Sequence, residues 1–153
     1  MLKAGAQAPQ FMLEDLSGAK HSLAEMLARG PALVALYKGS CPVCQLTFPF
    51  LERISKGSLQ VVGISQDDER GTSKFQNNLS LTMPLLLDRE SDGYEVSNAF
   101  DISHVPSIFL IEPDGKISTA VEGFVKRDLE TIGTRAGVRV FGPDDHVPEW
   151  KAG

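Results

Sequence analysis

The sequence predicts an α/β fold, a central mixed β-sheet flanked by helices, and three observations predict it. Residues 32–37 (A-L-V-A-L-Y) are apolar throughout, the mark of a strand buried on both faces. Strand-like and helix-like runs then alternate as far as residue 100, the pattern of crossover connections onto a sheet with helices on both faces. Residues 107–111 and 116–121 flank Glu112-Pro113-Asp114-Gly115, a strong turn, so the sheet should close with an antiparallel hairpin. At 153 residues the chain is expected to form one domain, 1–153, with residues 138–153 as a C-terminal tail.

Taken in order, residues 11–16 and 20–23 around Ser17-Gly18 read as a short strand pair. Ser22 is placed to cap a helix over residues 23–29, with Glu25 three residues on and Gly30-Pro31 as the stop. After the central strand, Val43, Leu46, Phe50 and Ile54 keep helical spacing, Phe48 and Leu51 widen the stripe, and Pro49 lies within it. Residues 59–65 form a second strand, and Asp67 or Asp68 caps a helix running to about residue 78. Leu85-Leu86-Leu87 is a third strand stopped by Asp88, followed by the turn Asp92-Gly93 and a short helix over 94–100. A closing helix over 126–136 ends at Gly137. The tail is expected to dock, because Phe141 and Trp150 are costly to leave in water.

A net charge of −5 and a pI near 5.2 give no electrostatic footprint for nucleic acid or an anionic membrane. No apolar run approaches the ~20 residues of a membrane helix, and residues 1–6 have no hydrophobic signal core. As written, the chain reads as cytoplasmic. A removed leader or anchor would make it periplasmic or otherwise extracytoplasmic.

The chemistry is concentrated in Tyr37-Lys38-Gly39-Ser40-Cys41-Pro42-Val43-Cys44. Its two cysteines are the only ones in the chain. C-x-x-C at a strand-to-helix junction is a redox motif. With Cys41 as N-cap, Pro42 takes the first helical position, which has no hydrogen bond to lose. Cys41 then faces the positive end of the helix dipole, which favours a thiolate, and Cys44 lies one turn in and shielded. That asymmetry suits an attacking and a resolving thiol. Structural zinc needs two more ligands, and His21, His104 and His146 are scattered. A permanent structural disulfide across so short a loop removes little unfolded-state entropy. Lys38 reads either as a cation favouring the thiolate or as a solvated loop residue. The expected redox group is the cysteine pair itself, with no metal and no other cofactor.

Four stretches resemble the thioredoxin-like superfamily, in its redoxin branch: thiol-disulfide oxidoreductases of the TlpA/ResA type and the related AhpC/TSA proteins. They are G-A-Q-A-P-Q-F-M-L-E-D-L-S-G near the start, Y-K-G-S-C-P-V-C-Q-L-T-F-P-F-L, V-V-G-I-S-Q-D-D, and F-D-I-S-H-V-P-S-I-F-L-I-E-P-D-G-K-I. The resemblance covers about residues 4 to 136. It implies a thioredoxin-like fold with an N-terminal strand extension and a central insertion, and a cis Pro106 facing the cysteines. It also implies substrate contacts at Val105, Pro42 and Val43. The partners implied are protein or low-molecular-weight thiols and disulfides, met by a monomer, or by a weak dimer as the alternative.

Three positions depart from the pattern. Thioredoxin has a buried aspartate on the central strand where Ala35 stands, and ResA-type proteins have a glutamate where Thr47 stands. Many relatives place tryptophan where Ser40 stands. Resolution by Cys44 is therefore expected to use water or the Thr47 hydroxyl. The alternative function is a peroxiredoxin-like thiol peroxidase. Aligned on Cys44, however, the threonine and proline places of that motif hold Cys41 and Tyr37, and no arginine occupies the segment just before Ile108-Phe109. A non-enzymatic electron relay, or an iron–sulfur binder using C-P-x-C, is the third alternative, although clusters normally take four thiolates.

Overall fold

A computed structural model describes residues 1–153. Strands β1 (Met12–Glu14) and β2 (Lys20–Ser22) form an antiparallel pair. Ser22 then caps α1 (Leu23–Arg29) by accepting the N–H of Glu25 at 3.1 Å. The central strand β3 (Ala32–Tyr37) runs into α2 (Pro42–Ser55), with Pro49 inside that helix. Next come β4 (Gln60–Ser65), α3 (Glu69–Leu79), β5 (Leu85–Leu87), a 3-10 turn at Glu90–Asp92, and α4 (Glu95–Ala99). The hairpin is β6 (Ser107–Ile111) and β7 (Ile117–Glu122), where the Gly115 N–H closes the turn on the Glu112 carbonyl at 2.8 Å. Asp68, not Asp67, caps α3, accepting from the Gly71 N–H at 2.8 Å.

The five-stranded sheet has the order β5-β4-β3-β6-β7. β3 lies at its centre, parallel to β4 and antiparallel to β6. Its side chains alternate between the faces as a pleated strand requires. Leu33, Ala35 and Tyr37 enter one apolar cluster with Phe48 and Leu51 of α2 and Phe75 of α3. Ala32, Val34 and Leu36 enter another with Leu23 and Met26 of α1 and Val96 of α4. The six-residue apolar run is thus explained by burial on two sides.

Past Glu122 the structure adds what the sequence did not announce. β8 (Phe124–Val125) precedes α5 (Lys126–Ala136) and pairs antiparallel with β9 (Trp150–Lys151), drawn from the tail. The tail docks through one of the two residues expected to drive it, Phe141, and not through the other, Trp150. Phe141 sits 4.7 Å from Phe50 and 6.1 Å from Phe124, centroid to centroid. Arg53 of α2 donates to the Val140 carbonyl and to Asp145, each at 2.8 Å. Trp150, by contrast, is 63% exposed. Burial of Phe141 holds the tail, and the backbone pairing of β9 fixes Trp150 whatever its ring contacts. No helix is long and apolar enough to cross a membrane.

Candidate active site

The loop from β3 into α2 is held from below and from the side. The Gly39 N–H donates to Asp67 Oδ2 at 2.8 Å, and Gln45 Nε2 donates to the Gly39 carbonyl at 2.8 Å. A Cβ at Gly39 would stand 2.8 Å from the same Asp67 oxygen, so a larger residue there would have to displace that carboxylate and the hydrogen bond it accepts. Cys41 is the N-cap of α2, with Pro42 beginning the helix. The Cys44 N–H donates to Cys41 Sγ at 3.2 Å, so the sulfur takes the role usually filled by a serine or aspartate oxygen.

Antiparallel pairing supplies the opposite wall. Leu36 faces Ser107, which places the end of β3 beside the start of β6 and therefore beside Val105-Pro106. The Val105–Pro106 peptide bond is cis. Cys41 Sγ lies 3.4 Å from the Val105 carbonyl, to which its S–H donates. Cys41, Gln66, Ser103, His104, Val105 and Gly153 surround a cavity of about 320 Å³ at this point. On the other flank of the loop a second cavity, of about 480 Å³, is lined by Gly39, Ser40, Gln45, Asp67 and Lys74.

The two sulfurs, both free thiols, are three residues apart in different surroundings. Cys41 is half-buried, whereas Cys44 is 0% exposed. Burial pushes the Cys44 thiol well above its ordinary range, and the neighbouring Cys41 sulfur and the Asp67 charge push the same way. A backbone hydrogen bond at Lys38 opposes them without reversing the direction. The Tyr37 hydroxyl beneath is also buried, and its neighbours, the Ser65 and Thr72 hydroxyls, are bonded to each other at 2.7 Å and leave it without a well-formed hydrogen bond. The Thr47 hydroxyl donates to the Val43 carbonyl at 2.6 Å, so its proton is committed to its own helix.

Of the residues singled out from the sequence, Cys41, Cys44, Val105 and Pro106 come together. Pro42 is exposed beside them. Val43 is a correction. At the second position of α2 its side chain is 7% exposed and packed in the core, which leaves it little surface for a substrate. Lys38 is exposed, and it is its carbonyl, not its ammonium, that meets Cys41, accepting the N–H at 3.1 Å. No group of three or more His, Cys, Asp or Glu side chains is brought together to hold a metal.

Sequence reasoning missed Gln66, Asp67, His104 and Gly153. The first two had a usable signal. They follow a parallel strand at its carboxyl end, where α/β sheets put their sites. His104 adjoins the Val105-Pro106 pair. Nothing local marks Gly153, which arrives through tertiary pairing alone.

The chain is 27% identical over 139 residues to the thiol-disulfide oxidoreductase ResA of Geobacillus thermodenitrificans, covering 84% of this chain and 77% of that one. The thioredoxin domain of a thiol-disulfide oxidoreductase from Bacteroides vulgatus superposes with a TM-score of 0.78 at 24% identity, covering 89% of this chain and 99% of that domain. The peroxidoxin BcpB of Mycobacterium tuberculosis superposes at 0.71 with 23% identity, covering 89% and 94%. The fold is therefore thioredoxin-like, and that fold alone does not separate disulfide exchange from peroxide chemistry. The AhpC/TSA family model matches residues 4–120, and the chain belongs to the AhpC/TSA family.

Proposed function

We propose that the chain is a thiol-disulfide oxidoreductase in which Cys41 attacks and Cys44 resolves, the cysteine pair being its only redox group. The observation that carries this is the asymmetry of the pair. Cys41 is half-buried at a helix N-terminus and opens on a cavity, while Cys44 is sealed with its N–H directed at the Cys41 sulfur. Cys41 thiolate attacks a protein or low-molecular-weight disulfide R–S–S–R′. That bond breaks, a Cys41–S–S–R bond forms, and R′S⁻ leaves and is protonated. Cys44 then loses its proton and attacks Cys41 Sγ, expelling RS⁻ and leaving the Cys41–Cys44 disulfide. Two electrons pass to the substrate, and the reverse sequence oxidises a dithiol. Pro42 offers an exposed rim, and the Val105 carbonyl faces the Cys41 sulfur. The cis Pro106 follows Val105 directly.

The peroxidase alternative lacks support in the cavity beside Cys41. Its lining of Gln66, Ile102, Ser103, His104, Val105 and Gly153 includes no arginine to polarise a peroxide. The test compares second-order rates of the reduced protein with a model disulfide and with hydrogen peroxide, alongside accumulation of a mixed disulfide on Cys41 in Cys44→Ser. Fast disulfide exchange and a trapped adduct are expected. A peroxide rate well above that of an ordinary thiol, or an adduct on Cys44 in Cys41→Ser instead, reverses the assignment.

A further inference from the structure

We propose that residues 150–153 are a strap that fits this site to low-molecular-weight disulfides and keeps extended protein segments off it. The proposal rests on the exchange reaction above and asks which disulfide reaches Cys41.

The strap is carried to the site by backbone pairing. Phe124 faces Lys151 and Val125 faces Trp150 in the β8–β9 ladder, and the Lys126 N–H donates to the Glu149 carbonyl at 3.0 Å. Two glycines let backbones touch along this path. A Cβ at Gly123 would stand 2.5 Å from the Lys151 carbonyl oxygen and 3.1 Å from the Gly153 nitrogen. A Cβ at Gly153 would stand 2.2 Å from the Val105 carbonyl oxygen, 2.9 Å from its carbon and 3.4 Å from the Pro106 nitrogen. The chain therefore lies against the same carbonyl that Cys41 Sγ meets at 3.4 Å.

An extended peptide recognised by strand addition needs free backbone edge beside the reacting sulfur. Here Gly153 covers the Val105 part of that edge. The Pro106 carbonyl is already taken by the Gly123 N–H at 2.8 Å. A small disulfide does not need the edge. It needs a path to the sulfur and a cavity of suitable size, and about 320 Å³ lies at the lower end of the range for small-molecule pockets. In that wall the Nε2 of His104 and the Oε1 of Gln66 are left for the polar groups of a peptide-like thiol, since His104 Nδ1 lies 3.0 Å from Glu122 and Gln66 Nε2 donates to Ser97. The strap is not itself core. The tail's apolar anchors, Val140 and Phe141, precede residue 149, and Trp150 is 63% exposed.

The test is single-turnover oxidation of the reduced protein, with the 153-residue chain compared to a variant lacking residues 150–153. Glutathione disulfide and insulin serve as the two substrates. Removing the strap should raise the insulin rate about tenfold or more, since covering a docking edge suppresses productive encounter, and change the glutathione disulfide rate by less than about twofold. Gly153→Val, which forces the strap off Val105 without shortening the chain, should shift the ratio the same way by a smaller factor. As a readout independent of rate, Trp150 is the only tryptophan, and its emission in Cys44→Ser should change when Cys41 is linked to a cysteine peptide but not to glutathione. An unchanged insulin-to-glutathione ratio in both variants overturns the strap while leaving the exchange chemistry standing. Failure of the full chain to react with either disulfide overturns the exchange chemistry itself, and the strap with it.

Discussion

Asp88 and Cys44 are both buried polar groups, one serving each side of the sheet, and they are treated in opposite ways. Asp88, 1% exposed, accepts the N–H groups of Val96 and Ser97 at 3.1 and 2.8 Å and the Ser97 hydroxyl at 2.6 Å. It does the capping for α4 that Tyr94, the N-cap residue, does not. Cys44 and the Tyr37 hydroxyl near it are provided for far less, a backbone hydrogen bond at Lys38 being all that favours the Cys44 thiolate. Burial raises both groups, the hydroxyl has no well-formed hydrogen bond, and the Thr47 proton is spent on Val43. A buried group surrounded by donors is fixed in one state and stabilises a fold. A buried group short of partners must change state to be useful, and its cost of ionisation falls on the reaction. The pattern assigns Asp88 to architecture and Cys44 to chemistry.

The largest expected effect lies within the pair. Timed alkylation at neutral pH should label Cys41 about a hundredfold faster than Cys44, because Cys41 is accessible and burial suppresses the Cys44 thiolate. Equal labelling would mean that the enclosure of Cys44 is too transient to matter. Asp88→Ala comes next. It leaves two backbone N–H groups of α4 without their acceptor and should cost about 3 kcal/mol in urea unfolding, with disulfide exchange by the folded fraction unchanged. Loss of exchange at full stability would place Asp88 on the chemical side after all.

Thr47→Glu brings a carboxylate to the impoverished side. Because burial raises the Cys44 thiol, its thiolate fraction grows about tenfold per pH unit below that value, so release of a preformed Cys41 mixed disulfide should quicken as pH rises from about 6 to 9. The new carboxylate should raise the rate near neutrality and flatten the profile, at a stability cost of about 1–3 kcal/mol. Coincident profiles in a folded variant would show that another group already takes the proton. The smallest effect belongs to Tyr37→Phe. Removing an unpaired hydroxyl should change stability by less than about 1 kcal/mol, in the stabilising direction if anything. A loss greater than that in calorimetry would reveal a partner for the hydroxyl.

Much of the molecule could be read before its coordinates. Burial on two faces writes itself as an unbroken apolar run, so β3 and its central place were visible at residues 32–37. Cys41 as N-cap followed from a proline one position later, since few other places suit it. Other features left no local trace. β8 and β9 are two residues each, too short for any period to show. Trp150 was expected inside because it is large and apolar, but a residue held by its backbone can leave its ring in water. Asp67 reads as a helix cap from spacing, and only the folding of β4 beside β3 shows that it holds the Gly39 N–H instead.

The meeting of Cys41 and Val105 has a kinetic side. The two residues are 64 positions apart and are brought together by the pairing of β3 with β6. Contacts so distant in the chain are costly in loop entropy and tend to form slowly. Until that ladder closes, a refolding molecule holds two ordinary accessible thiols, open to capture by any oxidant present. Quenching refolding with an alkylating agent at successive times would therefore clock the ladder, because protection of Cys44 can appear only as the strand behind it takes its place.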